Sequence, residues 1–331
     1  MKKIAIDLRL LESPTGKRGV GYFTAHLFET LLIKPHPDFQ FNLLTFPGSN
    51  LRNKFKVGPK DRFKSVPALY WPKKGLRRLD PFFSLFWNTA LYQVKPDLIH
   101  IPFLFDLFYL SVPKNIKSVV TLYDIIPLKF SKQYFQNEKA ENWYIQRLEQ
   151  AKRASKIITI SKSSKIDIEK MLNIPSGKIT VIYPGVDKRF KKVDKQKVLI
   201  ITQKYKISSP YILTVSTHSF HKNTSRIFEA FKEYINSTKN SNLTLVVVGK
   251  LIPREERDWK DELKKFGIEK RVILTNFVTD EDLPAIYMGA EVFLFPSLYE
   301  GFGLPILEAM ACGTAVITSS VSSMPEAGGD V

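Results

Sequence analysis

The sequence predicts an α/β protein made of two doubly wound domains, each with a parallel sheet covered by helices on both faces. Three observations predict this fold. Short apolar runs alternate with longer amphipathic stretches along the chain, which is typical of repeated strand–helix units. The runs are apolar at successive positions, as strands buried on both faces require. The chain has 331 residues, enough for two domains of ordinary size.

The strand-like runs fall into two blocks. The first block has five runs, at residues 2–8, 39–46, 96–101, 118–124 and 156–161. The second block also has five, at residues 211–217, 243–250, 271–277, 292–297 and 314–319. A basic, weakly structured stretch at 187–197 separates the blocks. This break predicts a first domain over residues 1–187 and a second domain over residues 188–331.

Composition restricts the compartment and the class of protein. Cys312 is the single cysteine, which excludes a disulfide framework or a thiolate metal cluster and fits a reducing compartment. Its position among small residues near a predicted helix end indicates a packed apolar side chain. Asp7 and Arg9 interrupt the first apolar run too early for a signal peptide. The longest apolar stretch is too short to cross a bilayer, so we expect a cytoplasmic protein.

The formal net charge of +18 is concentrated in the first part of the chain. Residues 1–206 carry a net charge of +22, whereas residues 207–331 carry −4. Residues 51–80 hold ten Lys and Arg against two acids and run into an aromatic stretch that ends at residue 94. This pattern predicts an anionic partner: a nucleic acid, a membrane surface or a phosphate-bearing substrate. The alternative is a solvated, lysine-rich surface and a helix whose apolar face lies in the core.

Residues 296–320 contain a strand end, a turn, a helix and the next strand. The turn is rich in glycine and leads into an apolar helix predicted over residues 304–312. Pro305 suits the first helical position, because the amide proton that proline lacks has no partner there. Gly313 can end the helix in a left-handed conformation.

Two carboxylates bracket this turn. Glu300 is predicted at the carboxyl edge of a parallel strand, where open α/β sheets bind ligands, and Glu308 about one turn into the helix. Carboxylates accept hydrogen bonds from hydroxyl groups, whereas a helix start offers unpaired N–H groups to an anion. A ligand with phosphate in the middle and hydroxyls at both ends fits, which predicts a nucleotide sugar. The alternative is an ordinary strand–loop–helix unit with surface acids.

The same segment carries a family resemblance. The stretch EGFGLPILE, residues 300–308, resembles the E-x7-E motif of retaining glycosyltransferases of family 4. The chain is similar to this family at residues 96–103, 119–130, 155–168, 178–187, 211–231 and 289–330. The resemblance implies the GT-B architecture: two Rossmann-like domains facing a central cleft, the first binding the acceptor and the second the donor. The family continues with another strand and helices where this sequence ends, so we expect an incomplete second domain.

The implied reaction is the transfer of a hexose from a nucleotide diphosphate sugar to a glycan or lipid-linked acceptor. The resemblance implies retention of anomeric configuration and no metal, and no cofactor beyond the donor. The chain is further similar to bacterial mannosyltransferase-like enzymes of surface-polysaccharide assembly, which makes mannose a candidate sugar. GDP-, UDP- and ADP-linked donors stay open. A membrane-bound acceptor and the basic first half together imply a peripheral location on the inner face of the cell membrane.

The resemblance also implies roles for residues of the second domain. Glu300 would bind hydroxyls of the transferred sugar, Glu308 the ribose and Lys222 the diphosphate. A cation on the leaving group favours the transition state over the ground state. His221 stands where the family usually has arginine, so we expect weaker or pH-sensitive stabilisation of the diphosphate. The remaining predicted donor contacts are Gly301, Phe302, Gly303, Leu304, Thr217 and Asn223.

Candidates in the first domain are also carried over from the resemblance. Gly19 and Gly21 match an N-terminal glycine loop that lies across the crevice from the donor phosphates. Tyr123 and Asp124 stand where the family often has His-Asp, and Asp124 is a catalytic candidate. A phenol can bond a sugar hydroxyl but does not titrate near pH 7. His100 is a further candidate, with a purely structural role as the alternative.

Other functions fit the sequence less well. Thr24 stands where a dinucleotide fingerprint needs its third glycine, and no GxxxxGK[ST] motif is present, which disfavours hydride transfer and P-loop hydrolysis. The acids at 280–282 imitate the metal-binding pair of the other large glycosyltransferase class. We expect Asp280 instead to cap a helix, and no metal site. We expect no nucleic-acid partner, since no such module is recognisable. A non-catalytic nucleotide-sugar-binding protein remains the main alternative.

Overall fold

The computed structural model describes residues 1–17, 19–67, 80–106, 112–238 and 242–329. The chain divides into two compact units, Met1–Tyr183 and Pro184–Val331, called here the N-terminal unit and the C-terminal unit. The division lies four residues before the boundary predicted from the sequence.

The N-terminal unit contains a seven-stranded parallel sheet with the strand order β3-β2-β1-β4-β5-β6-β7. Its strands are β1 Lys2–Asp7, β2 Phe39–Thr45, β3 Arg62–Ser65, β4 Leu98–Ile101, β5 Lys117–Thr121, β6 Lys156–Thr159 and β7 Ile179–Val181. Its helices are α1 Gly19–Ile33, α2 Leu51–Lys54, α3 Asp80–Val94, α4 Ile126–Lys129, α5 Ser131–Tyr134, α6 Glu138–Arg153 and α7 Lys162–Leu172.

Helices cover both faces of this sheet, as the apolar strands require. On one face, α1 and α2 pack on β1 and β2, and the buried residues include Ile6, Phe28, Leu43 and Leu51. On the other face lies a larger core to which α3, α6 and α7 contribute. Its buried members include Ala5, Trp87, Ile99, Val120, Leu148, Ile157 and Ile168.

The C-terminal unit contains a five-stranded parallel sheet with the strand order β10-β9-β8-β11-β12. Its strands are β8 Tyr211–Val215, β9 Thr244–Val248, β10 Val272–Asn276, β11 Val292–Phe295 and β12 Val316–Thr318. Its helices are α8 Lys195–Lys204, α9 Thr224–Ser237, α10 Pro253–Phe266, α11 Leu283–Met288, α12 Leu304–Cys312 and α13 Met324–Gly328. Strand β8 has β9 on one side and β11 on the other, so the strand order reverses there. The carboxyl ends of β8 and β11 therefore form the switch-point crevice where open α/β sheets bind ligands.

All ten predicted strands are present. The sequence missed two edge strands, β3 and β7, which are short and lack the long apolar run of a central strand. It also missed α8, because the lysines at the start of that helix hide its periodicity. Among the helices that the structure describes, none is long and apolar enough to span a membrane.

Candidate functional site

Two loops meet at the switch point of the C-terminal sheet. The loop at 216–223 follows β8 and the loop at 296–303 follows β11. The backbone N–H of Leu298 donates to the carbonyl of His221 at 2.7 Å. The side-chain amide of Asn223 donates to the carbonyl of Pro296 at 3.0 Å. These bonds fasten the two loops together, so the predicted residues they carry are brought to one place.

Lys222 and Glu300 form an ion pair between these loops. The Nζ atom of Lys222 lies 2.8 Å from Oε1 of Glu300, and the two side chains are 18% and 11% exposed. The hydroxyl of Ser297 donates to the same carboxylate oxygen at 2.7 Å. The ammonium group also lies 4.8 Å from the centre of the Phe295 ring, a cation–π distance. The structure thus places one cation and one carboxylate side by side at the carboxyl edge of the sheet.

The backbone around Glu300 is held from the opposite side. The hydroxyls of Ser322 and Ser323 donate to the carbonyl of Glu300 at 2.7 and 2.9 Å. Gly303 has φ +103°, a conformation that a side chain disfavours. Gly301 and Phe302 are buried beside it. Hydrogen bonds and burial therefore define the shape of the loop before α12 begins.

Helix α12 spans Leu304–Cys312, the range predicted from the sequence. Pro305 is the second residue of the helix, one position after the predicted one but still in the first turn, where its missing N–H costs nothing. Gly313 ends the helix at φ +83°, as predicted. Cys312 is 1% exposed, which confirms its packing role.

Glu308 lies in the second turn of α12 and has a different set of neighbours from Glu300. The hydroxyl of Tyr287 on α11 donates to its Oε2 atom at 3.0 Å. Burial raises the pKa of Glu308 to about 7, although the Tyr287 hydrogen bond opposes the shift. Among the described residues, no hydrogen bond reaches its Oε1 atom, which leaves one acceptor for a ligand hydroxyl.

His221 precedes Lys222 in a short 3₁₀ turn. Burial lowers its pKa, the charge of Glu300 opposes this shift, and the charge of Lys222 adds to it. The imidazole is therefore mostly neutral near pH 7. Asn223 has a left-handed φ of +57°, which turns the chain into α9. Thr217 is exposed, and its hydroxyl donates to the hydroxyl of Ser219 at 3.1 Å.

Several neighbours of the site were not predicted. A Cβ atom on Gly249, after β9, would lie 1.7 Å from the carbonyl oxygen of Ser216. The hydroxyl of Ser216 in turn lies 2.5 Å from the hydroxyl of Thr224 at the start of α9. The glycine directly after a strand was the available signal for this close approach. Ser322 and Tyr287 have no sequence motif of their own, because their partners are distant in the chain. Ser297 is only three residues from its partner Glu300, but a lone serine at a strand end carries no specific signal.

The structure corrects the prediction for Gly19 and Gly21. They do not form a loop, since α1 begins at Gly19. A Cβ atom on Gly21 would lie 2.0 Å from the carbonyl oxygen of Gly16, whereas Gly19 has no neighbour within 4 Å of such an atom. Gly21 is therefore needed for the close approach of the helix to the preceding turn.

Tyr123 and Asp124 lie directly after β5. Tyr123 is buried, and its hydroxyl lies 2.7 Å from the hydroxyl of Thr24 and 3.1 Å from the carbonyl of Val20. Burial raises the pKa of Tyr123 well above its ordinary value. The phenol therefore anchors α1 to the end of β5. Asp124 is partly exposed and accepts the backbone N–H of Ile126 at 3.0 Å.

The structural alternative for His100 fits its surroundings. Its Nε2 atom is 2.9 Å from the hydroxyl of Thr121, and its ring packs edge-on against Phe28 with centroids 5.1 Å apart. It lines an apolar cavity of about 270 Å³ on the face of the sheet beside α1. Burial lowers its pKa to about 4, so it stays neutral near pH 7.

The capping prediction for Asp280 is wrong. Helix α11 begins at Leu283, and the residue before it, Asp282, makes no side-chain cap. Asp280 instead lies 3.0 Å from Arg189, and Asp282 accepts from Lys204 and Tyr205 at 2.6 and 2.8 Å. The two acids therefore pair with cations on other segments of the chain.

Comparisons with known families cover most of the chain. Residues 38–190 match the Glycosyltransferase Family 4 model, and residues 199–330 match the model named Glycosyl transferases group 1. The serotype-specific mannosyltransferase WbdA of Escherichia coli is 29% identical over 249 residues, covering 72% of this chain and 30% of WbdA. The O-antigen chain mannosyltransferase B of Escherichia coli is 30% identical over 247 residues, covering 73% of this chain and 61% of that relative. The chain thus spans less than two thirds of these relatives.

Solved structures show the same arrangement of secondary structure. Anabaena HepE in complex with UDP-glucose has a TM-score of 0.68 and 18% identity, over 98% of this chain and 82% of that structure. WaaG, a glycosyltransferase involved in lipopolysaccharide biosynthesis, has a TM-score of 0.66 and 18% identity, over 99% and 84%. At this identity the likeness concerns the fold alone.

Proposed function

Because the chain is built from a glycosyltransferase family 4 domain and a group 1 glycosyl transferase domain with the GT-B fold, we propose that it transfers a hexose from a nucleotide diphosphate sugar to a hydroxyl of a glycan or lipid-linked acceptor. Mannose is the first candidate, since relatives over most of the chain are named mannosyltransferases. Two of these names refer to serotype or O-antigen, which supports a place in surface-polysaccharide assembly.

The observation that carries this proposal is the Lys222–Glu300 pair at the switch point, 2.8 Å apart. A nucleotide sugar needs a cation for its diphosphate and an acceptor for its sugar hydroxyls, and this pair supplies both. The start of α12 adds backbone N–H groups, and Gly303 leaves room for a close approach. We assign the diphosphate to Lys222 and the α12 start, the sugar to Glu300 and the ribose to Glu308.

The chemistry follows from these assignments. The bond between the anomeric carbon and the diphosphate breaks, and negative charge builds on the departing oxygen. Lys222 stabilises that charge in a partly desolvated site, where electrostatic interactions are stronger than in water. The acceptor oxygen bonds to the anomeric carbon, and its proton passes to the leaving phosphate. Attack on the same face would retain the configuration. We propose that the cation at the diphosphate is Lys222 and that no metal is needed.

The base of the nucleotide donor can be identified by direct binding measurements. HepE was solved with UDP-glucose, which supports a nucleotide sugar as the class of donor without fixing the base for this chain. Thermal-shift and binding measurements with GDP-, UDP- and ADP-sugars should identify one base. Incubation of the matching radiolabelled donor with an acceptor extract should then transfer label, and NMR of the product should show the anomeric configuration of the donor. Binding without transfer or hydrolysis would favour the non-catalytic alternative.

We further propose that the N-terminal unit associates with an anionic membrane surface on the cytoplasmic side. Trp87 and Leu91 on the inner face of α3 are buried in the core, as expected for a helix that only packs against the sheet. The outer face, however, exposes Leu85 and Tyr92 by 60% and 75%. No charged residue occurs from 84 to 94. An uncharged, partly apolar helix face on a strongly basic unit suits the interface of an anionic bilayer.

A further inference from the structure

Arg189 lies among carboxylates in the C-terminal unit. Its guanidinium group is 3.0 Å from Oδ2 of Asp187 and 3.0 Å from Oδ2 of Asp280. Its backbone N–H also donates to Oδ1 of Asp187 at 2.9 Å. The charges of Asp187, Arg189 and Asp280 all contribute to the pKa of a third carboxylate, that of Glu308. The guanidinium group thus joins two separate segments of the chain: a first segment, residues 187–190, and a second segment, residues 280–287.

The same two segments hold the hydrogen-bond partner of Glu308. The ring of Phe190 packs edge-on against Tyr287, with centroids 6.0 Å apart. Asp280 belongs to the loop that leads into α11, the helix that carries Tyr287. The hydroxyl of Tyr287 donates to Glu308 at 3.0 Å. The ion pairs of Arg189 therefore fix the surroundings of the Tyr287–Glu308 pair.

The charges around Glu308 are unbalanced. Asp187 and Arg189 come from the first segment, Asp280 from the loop before α11, and Tyr287 from α11 itself. Cys312, on α12, also lies near Glu308, and burial raises its thiol pKa to about 12, so it is neutral near pH 7. Burial and then the charges of Asp280 and Asp187 favour the protonated form of Glu308, whereas Arg189 favours the ionised form.

We propose that Arg189 is a positioning residue for the nucleotide donor, which holds the two segments around Glu308 and offsets the neighbouring carboxylates so that Glu308 can accept hydrogen bonds from the ribose hydroxyls. This rests on the proposed function, in which Glu308 contacts the ribose. Without the guanidinium, three carboxylates remain together, and like charges favour protonation of one of them. A protonated carboxyl group has lost part of its acceptor capacity.

The test uses the full chain and isothermal titration of two ligands. The first is the ribonucleoside diphosphate that the wild type binds among GDP, UDP and ADP, and the second is its 2′,3′-dideoxy analogue. We expect Arg189→Met to weaken ribonucleotide binding about tenfold near pH 7, the effect of one charge-assisted hydrogen bond, and to leave dideoxy binding unchanged. Arg189→Lys should restore most of the affinity. Arg254→Met, which removes an exposed charge on α10, is the matched control.

The pH dependence separates charge from local structure. Ribonucleotide affinity should fall as the pH drops through the titration of Glu308, near pH 7 in the wild type. Arg189→Met should move this midpoint to higher pH, whereas Asp280→Asn, which removes the other end of the same ion pair, should move it to lower pH. Midpoints that move in the same direction, or equal weakening of dideoxy binding, would overturn the role of Arg189. Should Arg189→Met fail to fold, Asp280→Asn and Arg189→Lys carry the same test.

Failure of the proposed function has a different signature. If the wild type binds ribonucleoside and dideoxynucleoside diphosphates equally, or binds neither, the assignment of the ribose to Glu308 fails. If the wild type discriminates between them and Arg189→Met discriminates equally well with an unchanged midpoint, only the inference about Arg189 fails.

Discussion

Replacing Lys222 removes a cation from the proposed diphosphate site and leaves the carboxylate of Glu300 without its ion-pair partner. We expect Lys222→Ala to lower kcat by about 10²–10³-fold, the usual effect of losing one preorganised electrostatic contact. It should also destabilise the C-terminal unit by about 1–3 kcal/mol, because a largely buried carboxylate loses its partner. Glu300→Gln should likewise lower kcat.

The double variant Lys222→Met/Glu300→Gln separates the two effects. It removes both charges, so thermal denaturation should show most of the lost stability recovered, while the transfer assay stays at the background rate. Recovery of transfer together with stability would contradict a catalytic role for the pair and leave only a structural one.

His221 gives a second prediction for a single residue. Burial lowers its pKa, so its charge appears only as the pH falls below the ordinary range of histidine. Protonation would add a cation beside Lys222 and so strengthen donor binding in that acidic range. Protonation of Glu308 has the opposite effect, since it weakens donor binding as the pH falls. His221→Arg makes the charge permanent. Its donor KM should fall about threefold to tenfold near pH 7, the value of roughly 0.6–1.4 kcal/mol for a partly screened charge.

The measurement for His221 is the pH dependence of kcat/KM for the donor. In His221→Arg, the acid-side contribution of the imidazole should disappear while that of Glu308 remains. His221→Gln serves as the uncharged control and should keep the neutral-pH behaviour of the wild type. An unchanged pH profile in His221→Arg would remove the proposed role.

At the scale of residues, a motif predicted where a side chain lies, whereas its contacts were not predicted. The glycine–proline pattern around Glu300 predicted α12 and both its ends. Lys222 was identified through the family resemblance, supported by its position after an apolar strand. The partners of these residues were missed. Ser322 and Tyr287 contact Glu300 and Glu308 from elements that only the folded chain brings near, and no local pattern encodes such contacts.

At the scale of elements, the glycines of α1 distinguish packing from ligand binding. A Cβ atom on Gly21 would lie 2.0 Å from a backbone oxygen of Gly16, whereas one on Gly19 would meet nothing within 4 Å. Gly21→Ala must therefore displace backbone, and we expect it to lower the stability of the N-terminal unit by about 1–3 kcal/mol. Gly19→Ala, the matched control on the same helix turn, should leave the melting temperature nearly unchanged.

Thermal denaturation of both variants, with transfer rates measured well below the transition, checks this prediction. A tolerated Gly21→Ala would contradict the close approach of α1 to the preceding turn. A loss of activity in a fully stable Gly19→Ala would instead support the donor contact that the family resemblance implies for this glycine.

Strands and helices followed from the sequence to different degrees. Central strands such as β1 and β9 were predicted because burial on both faces demands a continuous apolar run. Edge strands carry no such demand, and β3 contains Arg62 and Lys64. Helix α8 was missed because its first turn is polar and basic, although Ile201 packs into the core. The pattern of apolar residues therefore predicts strands and helices that are well buried, and it misses those that are partly exposed.

At the scale of the whole molecule, the charge is unevenly distributed along the chain. Residues 1–206 carry +22 and residues 207–331 carry −4, so the excess of cations lies outside the proposed donor site. A lysine-rich surface alone would explain the charge. It would not explain why residues 84–94 of α3 carry no charge and expose Leu85 and Tyr92. The combination of the two features favours a membrane surface over a solvated one.

Vesicle flotation tests this combination. We expect the protein to float with vesicles that contain anionic lipid and to remain at the bottom with neutral ones. Raising the salt concentration toward roughly 1 M should release it, because the screening length then falls to about 3 Å.

The double variant Leu85→Gln/Tyr92→Gln removes the apolar contribution without changing the charge. It should reduce the amount of bound protein about tenfold or more, since burying even half of such side chains is worth about 1–2 kcal/mol. Ile252→Gln, an exposed apolar position in the C-terminal unit, should behave like the wild type. Flotation that ignores lipid charge would contradict the electrostatic part of the proposal, and flotation of the α3 variant at the wild-type level would contradict the role of that helix.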